Sequence, residues 1–514
     1  MIKCVKSGIA VLFSAMMLCI LTLVVGCFDQ IAFAGKRVFL LGQGTMLCIG
    51  LAAAALLMIG ACRMRRSDTV RRLEPAARVW LWPMLFAVQL ALCYFTYFLT
   101  GWDAGMMLEY ARWVGVYGAT EVNDLYYSMY PNNVLITMIF AGIMRAFAWI
   151  TGGEPGLERC ALAVIAVQCL LNTLTGAMCW DIMRRWTRSK TTAWITAFAY
   201  VLLVGLSPWL MIPYTDSMAL FLPTLILWLY VQKERLGIWA FAGIGLLAGF
   251  GYRLKPQAVI VVIALVMVEA AYGLCARYIK RMLVRLSALL LAMLVMIGPF
   301  FDAVVRLSGF DLDEEMNVGA LHYVMMGLNE ASNGGFYAED EKITLSASTR
   351  KARRAVQLEQ IAGRVKAYGF AGLMEHLTKK TMTNYADGTF AWAIEGQFIA
   401  RQIEDKDEVI SPLLKRMVYP DEQGNVSGIA TYAQCIWLAL LLGALLGGMA
   451  VLTGRAEGAL VFLTMMLAII GLTTFELLFE ARARYLFIYA PVYVMLGVNG
   501  LWSGFNMLKK KAEE

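Results

Sequence analysis

Apolar runs of about twenty residues, the length that carries a helix across the hydrocarbon core of a bilayer, recur along nearly the whole chain. Residues 8–28, 38–61, 80–100, 283–301, 431–453 and 459–478 are clear cases. A bilayer offers no partner to a free N–H or C=O, so each segment must close its own backbone hydrogen bonds, and a series of such runs folds as packed helices. Composition agrees: 60% of the 514 residues are hydrophobic, 16% are charged and mean hydropathy is +0.64, whereas soluble domains carry about 25% charged residues. The expected fold class is an all-α polytopic membrane protein.

The net charge of +8 reads as topology, because the basic residues gather in short loops between apolar runs and short basic loops mark the cytoplasmic side. No nucleic-acid motif is present. Arg63, Arg65, Arg66, Arg71, Arg72 and Arg78 place the loop 62–78 inside, so 8–28 and 38–61 form a first hairpin, with Lys36 and Arg37 in its outer loop against the rule. Val24-Val25-Gly26-Cys27 loosely resembles a lipoprotein cleavage box, but the apolar run is longer than a signal segment and reads as the first membrane helix. Residues 80–100 then run outward and deliver Asp103 to the outer face. Continuing the alternation puts 184–190, 233–235 and 277–285 inside and Asp216, Arg253 and Lys255 outside. It gives about twelve crossings with both termini cytoplasmic. Parity allows one net crossing between Asp103 and Arg184, so 131–150 is expected to dip into the bilayer without spanning it; the alternative is an ordinary span with a misassigned neighbour. The chain divides into an N-terminal hairpin with its basic loop (1–79), a transmembrane core (80–303), a long outer loop (304–430) and C-terminal helices with a tail (431–514).

The eleven cysteines avoid the polar part of the long loop, and His322 and His376 are the only histidines. That argues against a disulfide framework and a multi-histidine metal centre; no cofactor is predicted, and a divalent metal is left open. The candidates for chemistry lie on the outer side. Asp103 is a helix cap for the amphipathic run 104–114 or a functional carboxylate. Asp124, in Glu121-Val122-Asn123-Asp124, is a second carboxylate or a solvated charge, and Tyr130 opens the return to apolar sequence in Tyr130-Pro131-Asn132-Asn133. Asp216 follows Tyr214-Thr215 at a helix start. Arg253 and Lys255 interrupt a Gly-rich apolar stretch, as a phosphate-binding pair or as side chains snorkelling to headgroups. Glu480, Arg482 and Arg484 form a structural pair or a further phosphate or sugar contact. His322 lies in a loop whose Met325-Met326 and Gly334-Gly335 suggest folding back over the membrane mouth, as a structural residue or a lining of the cavity. The basic helical stretch 349–369 reads as a solvated face near anionic headgroups.

In this order, the Asp after an outward span, the Tyr-Pro-Asn-Asn, the Thr215-Asp216, the Gly-rich helix ending in Lys255-Pro256, the long outer loop and the late Glu480-Ala481-Arg482-Ala483-Arg484-Tyr485 resemble the GT-C superfamily of membrane glycosyltransferases. They resemble in particular the bacterial relatives of protein O-mannosyltransferases and aminoarabinose transferases (glycosyltransferase family 39-like). The resemblance covers most of 80–501. It implies a sugar transferred from a polyprenyl-phosphate donor to a glycan, lipid or protein acceptor at the extracytoplasmic face of the cell membrane. It also implies Asp103 as general base, Arg253, Lys255 and Arg484 on the donor phosphate, and Tyr130 at the start of the second core segment. Asp103 lacks the adjacent Glu of the mannosyltransferase Asp-Glu pair, which leaves Asp124 as an alternative base. A transporter or flippase of a lipid-linked sugar would want the same polar cavity, but no internal repeat of the kind common in transporters is evident. A polymerase or ligase of undecaprenyl-diphosphate glycans would differ in its donor.

Overall fold

A computed structural model of the protein describes residues 2–26, 38–118, 124–393, 399–419, 427–454 and 460–513. Cys27, Lys36, Arg37, Glu121 and Asn123 lie outside the described residues. In chain order the elements are α1 (Ile2–Gly26), α2 (Gln43–Met64), α3 (Asp68–Thr96), β1 (Phe98–Thr100), α4 (Trp102–Tyr117), α5 (Asp124–Met129), α6 (Val134–Thr151), α7 (Leu157–Thr187) and α8 (Lys190–Tyr200). There follow α9 (Thr215–Ala219), α10 (Phe221–Val231), α11 (Lys233–Leu236), α12 (Ile238–Leu254), α13 (Ile260–Cys275), α14 (Ile279–Val295) and α15 (Phe301–Ser308). The long loop contains α16 (Ala320–Gly327), α17 (Ala338–Leu345), α18 (Arg350–Tyr385), β2 (Ile399–Gln402) and α19 (Ile410–Val418), before α20 (Ser427–Leu452), α21 (Leu460–Leu478) and α22 (Ala490–Glu513).

Among the described residues, ten helices are long and apolar enough to cross a membrane, and 190–205, 215–231 and 238–254 are shorter apolar helical stretches. Lipid tails are as apolar as the helices, so packing between them depends on close backbone approach at small residues. The tightest example joins α20 to α22. A Cβ added at Gly443 would meet the Gly497 carbonyl oxygen at 2.2 Å, and one at Gly500 would meet that of Gly443 at 1.8 Å. A second seam joins α12 to α14, where a Cβ at Gly245 would lie 2.1 Å from the Leu289 carbonyl oxygen. Neither seam leaves room for alanine without the helices moving apart.

The short basic loops come together at one face. Lys190 pairs with Glu74 at 2.7 Å, and Arg285 with Glu234 at 3.1 Å, joining loops that lie far apart in sequence. At the opposite face β1 pairs antiparallel with β2, with Leu99 opposite Arg401. This small sheet ties the end of α3 to the long loop.

The sheet also decides what α6 does. Its start adjoins Asn133, which bonds Tyr126 beside Asp103, three residues beyond β1. Its end lies six residues before Leu157, next to Glu158, whose carboxylate receives Arg401 of β2 at 2.7 Å. Both ends of an uninterrupted helix of about 27 Å therefore lie on the face that carries the sheet. The helix packs on α4, Gly115 standing so close to the Ala141 carbonyl that an added Cβ would approach to 2.3 Å. Segment 131–151 has the length and hydropathy of a span, yet the contacts at both of its ends lead to the face that carries the sheet.

The long loop is a folded layer over this face. The reading of 349–369 as a solvated basic face is corrected in part: Arg350, Lys351, Arg354 and Lys366 are exposed, but Arg353 is buried. Arg353 donates to the carbonyls of Thr344, Glu315 and Ala347 at 3.1, 2.7 and 2.8 Å. Arg364 clamps Asp340 through two hydrogen bonds of 2.5 and 3.0 Å. Buried guanidinium groups of this kind satisfy loop carbonyls that would otherwise be stranded. Gly369, at φ 57° and ψ −169°, breaks α18 into two helices. In the second, Lys380 is buried and donates to the carbonyls of Gly327, Leu477 and Phe479 at 2.8, 2.8 and 2.6 Å, latching the loop onto the end of α21.

Candidate functional site

The site begins where β1 turns into α4. Trp102 opens the helix at φ 50°, a left-handed conformation that costs of order 1–3 kcal/mol in a bulky residue and persists only when its surroundings fix it. Two contacts fix it: its indole N–H donates to Thr100 Oγ1 at 2.7 Å, and its ring lies 4.8 Å from that of Tyr214. The capping position belongs to Gly101, with no side-chain cap. Asp103 is therefore not the cap, and its carboxylate is available for another role.

That carboxylate is oriented by a short relay. Asn133 Nδ2 donates to the Tyr126 hydroxyl at 2.6 Å, and Tyr126, beside Asp103, favours the charged form of that carboxyl. Burial pushes the Asp103 carboxyl above the usual carboxylate range; Arg484 and the Tyr126 hydrogen bond oppose the rise, while Glu341 and Glu480 add to it. The relay explains the Tyr130-Pro131-Asn132-Asn133 sequence locally. Pro131 starts a 3-10 turn that brings Asn133 back under Tyr126, and Tyr130 turns the other way, donating to Glu341 at 2.5 Å.

Opposite Asp103 stand two cations on one aromatic cluster. The Arg484 guanidinium lies 4.4 Å from the Trp102 ring centre, 5.3 Å from Tyr214 and 5.6 Å from Tyr485, and Lys255 Nζ lies 4.6 Å from Tyr485. Aromatic faces attract cations, which helps to position Arg484 over the cluster. Lys255 also pairs with Asp216, both buried. Glu480 accepts from Arg482 at 2.8 Å and from the Tyr485 hydroxyl at 2.9 Å. Tyr323, carried in by α16, has its hydroxyl pushed up first by burial and then by Glu480, Tyr214, Asp103 and Glu341.

Of the residues expected from sequence, Asp103, Tyr130, Asp216, Lys255 and Arg484 converge here, with Arg482 held at the edge by Glu480. Three expectations are corrected or displaced. Arg253 donates to the Ile297 carbonyl at 2.9 and 2.6 Å and lies 3.9 Å from the Phe301 ring centre, so it seals the bend between α14 and α15. Asp124 starts α5 and accepts the Asp311 backbone N–H at 3.3 Å, anchoring the segment after α15. His322 is buried, 2.8 Å from Thr344 Oγ1, and burial pulls its ring below the ordinary histidine range, against the carboxylates Glu341, Glu480 and Asp340; it ties α16 to α17 at the margin of the site. The residues missed were Trp102, Tyr126, Glu341 and Lys380. Glu341 sits in an acidic run, Glu339-Asp340-Glu341, that cannot be told from a solvated loop without knowing what packs on it. Trp102 carried a weak signal, an aromatic between Gly and Asp at the end of a span.

Fold and site together define an all-α, multi-pass integral membrane protein with a polar cluster at the face capped by its long loop. Over residues 1–501 the chain matches the family described as conserved hypothetical integral membrane protein, and it belongs to that family. A search of curated proteins finds no match.

Proposed function

We propose that the protein is a membrane glycosyltransferase with a GT-C-like bundle of about twelve crossings, moving a sugar from a polyprenyl-phosphate donor to a cell-envelope acceptor on the extracytoplasmic face. The observation that carries this reading is the meeting of a half-buried carboxylate, Asp103, in the field of Arg484 and beside Tyr126, with two cations, Arg484 and Lys255, around one aromatic cluster. In the reaction, Asp103 accepts the proton of an acceptor hydroxyl as that oxygen bonds to the anomeric carbon. The bond from that carbon to the phosphate oxygen breaks, the electron pair stays on the phosphate, and Arg484 and Lys255 stabilise the charge that develops there. Asp124 is the weaker choice of base, being occupied by the Asp311 backbone.

Purified protein supplied with polyprenyl-monophosphate sugars is expected to release polyprenyl phosphate. Asp103→Asn should retain donor binding while turnover falls by about 10²–10⁴; full activity in that variant would remove Asp103 from the reaction. One observation favours a second reading, a carrier of lipid-linked sugars: Glu476 is buried in α21 in the field of Lys255 and Lys380, and intramembrane ionisable groups commonly mark transport paths. Movement of an intact lipid-linked sugar across proteoliposomes, with no bond cleavage, would favour the carrier.

A further inference from the structure

The face that carries the short basic loops holds a second built feature, far from the cluster above. Between the start of α12 and the α13–α14 connection lies a cleft of about 570 Å³, within the roughly 300–1,000 Å³ of small-molecule sites. Its polar wall is made by Arg277, Lys280, Arg281 and Arg285, with Glu234 the one carboxylate lining it. Behind the wall, Glu269 pairs with Lys233 and stands 3.8 Å from Arg285, so that carboxylate already serves its own cations. Glu234 is divided between Arg285 at 3.1 Å and Arg281 at 3.9 Å. Positive charge is left over.

Two further facts sharpen the surplus. The first turn of α14 points its free N–H groups toward this connection and contains no acidic residue, although helix N-termini favour negative charge; here Lys280 and Arg281 occupy it instead. Arg277, just before it, is held at φ 58°, a backbone conformation that usually falls to glycine or asparagine. The rest of the cleft is apolar. Ile238, Tyr278 and Val284 line it, and the apolar surface continues outward over Trp239, 79% exposed, and Leu283. An aromatic residue at the rim of a cationic cleft between membrane helices matches a membrane–water boundary.

We propose that this cleft binds the phosphate headgroup of an anionic phospholipid, with Arg277, Lys280 and Arg281 on the phosphate and the acyl chains laid over Ile238, Val284 and Leu283. Phosphate is the shared chemistry of lipid and soluble ligands, and the apolar floor that runs on into lipid-facing surface selects the lipid. A zwitterionic headgroup leaves the surplus unmatched. The site is independent of the proposed reaction, since none of its residues touches the Asp103 cluster.

The test uses the full-length protein in detergent micelles, with phosphatidylglycerol and phosphatidylcholine of matched acyl chains as probes and native mass spectrometry as the readout. Phosphatidylglycerol should be retained in preference to phosphatidylcholine. With each cation near an anionic headgroup worth about fivefold in affinity, Arg277→Ser/Lys280→Ser/Arg281→Ser should weaken it by about a hundredfold, while Arg277→Lys/Arg281→Lys retains it. Arg281→Glu alone should weaken binding by at least about fivefold, which covers the case of a poorly folded triple variant. Serines at the exposed Arg63, Arg65 and Arg66 of the same face should leave binding unchanged. Equal retention of both lipids, undiminished binding in the triple variant and in Arg281→Glu, or equal loss in the Arg63/Arg65/Arg66 control would each overturn the site. Displacement of the lipid by millimolar glycerol phosphate would overturn its assignment to a lipid.

Discussion

Two groups of charges sit at opposite faces of this protein, and they are built on opposite terms. At the capped face Lys255 and Asp216 pair in full burial, Glu480 takes Arg482, and Arg484 rests on three aromatic rings. At the basic face Arg277, Lys280 and Arg281 are exposed, and Glu234, the one carboxylate lining their cleft, is itself exposed and reaches Arg281 and Arg285. The difference follows from the medium. A buried charge left alone costs several kcal/mol and must be matched where it stands, whereas water and salt screen the exposed set and let it carry a surplus. A matched set holds geometry; a surplus attracts anions.

The same kind of change, carboxylate to amide, tests this contrast. Asp216→Asn leaves Lys255 buried and unpaired and should cost about 3–5 kcal/mol, read as a large drop in the thermal midpoint in detergent. Asp216→Leu with Lys255→Met should recover most of it; if the single and double variants fall equally, the pair is holding something other than each other.

Next in size is Tyr126→Phe. Its hydrogen bond favours the charged form of Asp103, and bonds to charged groups are worth about 1.5–3 kcal/mol. A base works only when unprotonated, so activity should rise with pH through the Asp103 pKa, already above the ordinary carboxylate range. Removing the bond should move that rise to higher pH by about one unit or more. An unmoved acid limb would separate Asp103 from the titration.

Lys380 gives an effect on stability with a defined sign. Burial pulls its amine down to about 8, against Glu476 and Glu480, from an ordinary value of 10.5. Between these values the unfolded chain binds more protons than the folded one, so this group makes stability rise as pH climbs from about 8 to 10.5. Thermal midpoints of the wild type measured relative to Lys380→Met across that window should show the rise. At the bottom of the scale, Glu234→Gln at the basic face breaks pairs whose carboxylate is exposed to water, worth about 0–1 kcal/mol, and the midpoint should hardly move. A loss there comparable to that of Asp216→Asn would erase the contrast between the faces.

Much of the bundle was legible in the sequence, because hydropathy and the placement of Arg and Lys are local properties. The loops at 62–78, 184–190, 233–235 and 277–285 were grouped by charge alone, and Lys190–Glu74 and Arg285–Glu234 join them at one face. Parity of charge pointed to a dip of 131–150, and the contacts of Asn133 and of Glu158 with Arg401 bring both ends of α6 toward the face of the sheet. The site was legible only in outline. Asp103, Lys255 and Arg484 stood out because charge beside apolar sequence is costly, and the same signal raised Arg253, which seals a bend instead.

The sequence by itself determined that this chain must live in a membrane, roughly where it crosses, and which charges are too expensive to be incidental. The tertiary structure alone decided which of them meet. Whether an Asp is a cap, an anchor or a base depends on what packs against it from elsewhere in the chain. Asn133 through Tyr126 and Trp102 beneath Arg484 are contacts made by folding, with no periodicity to announce them.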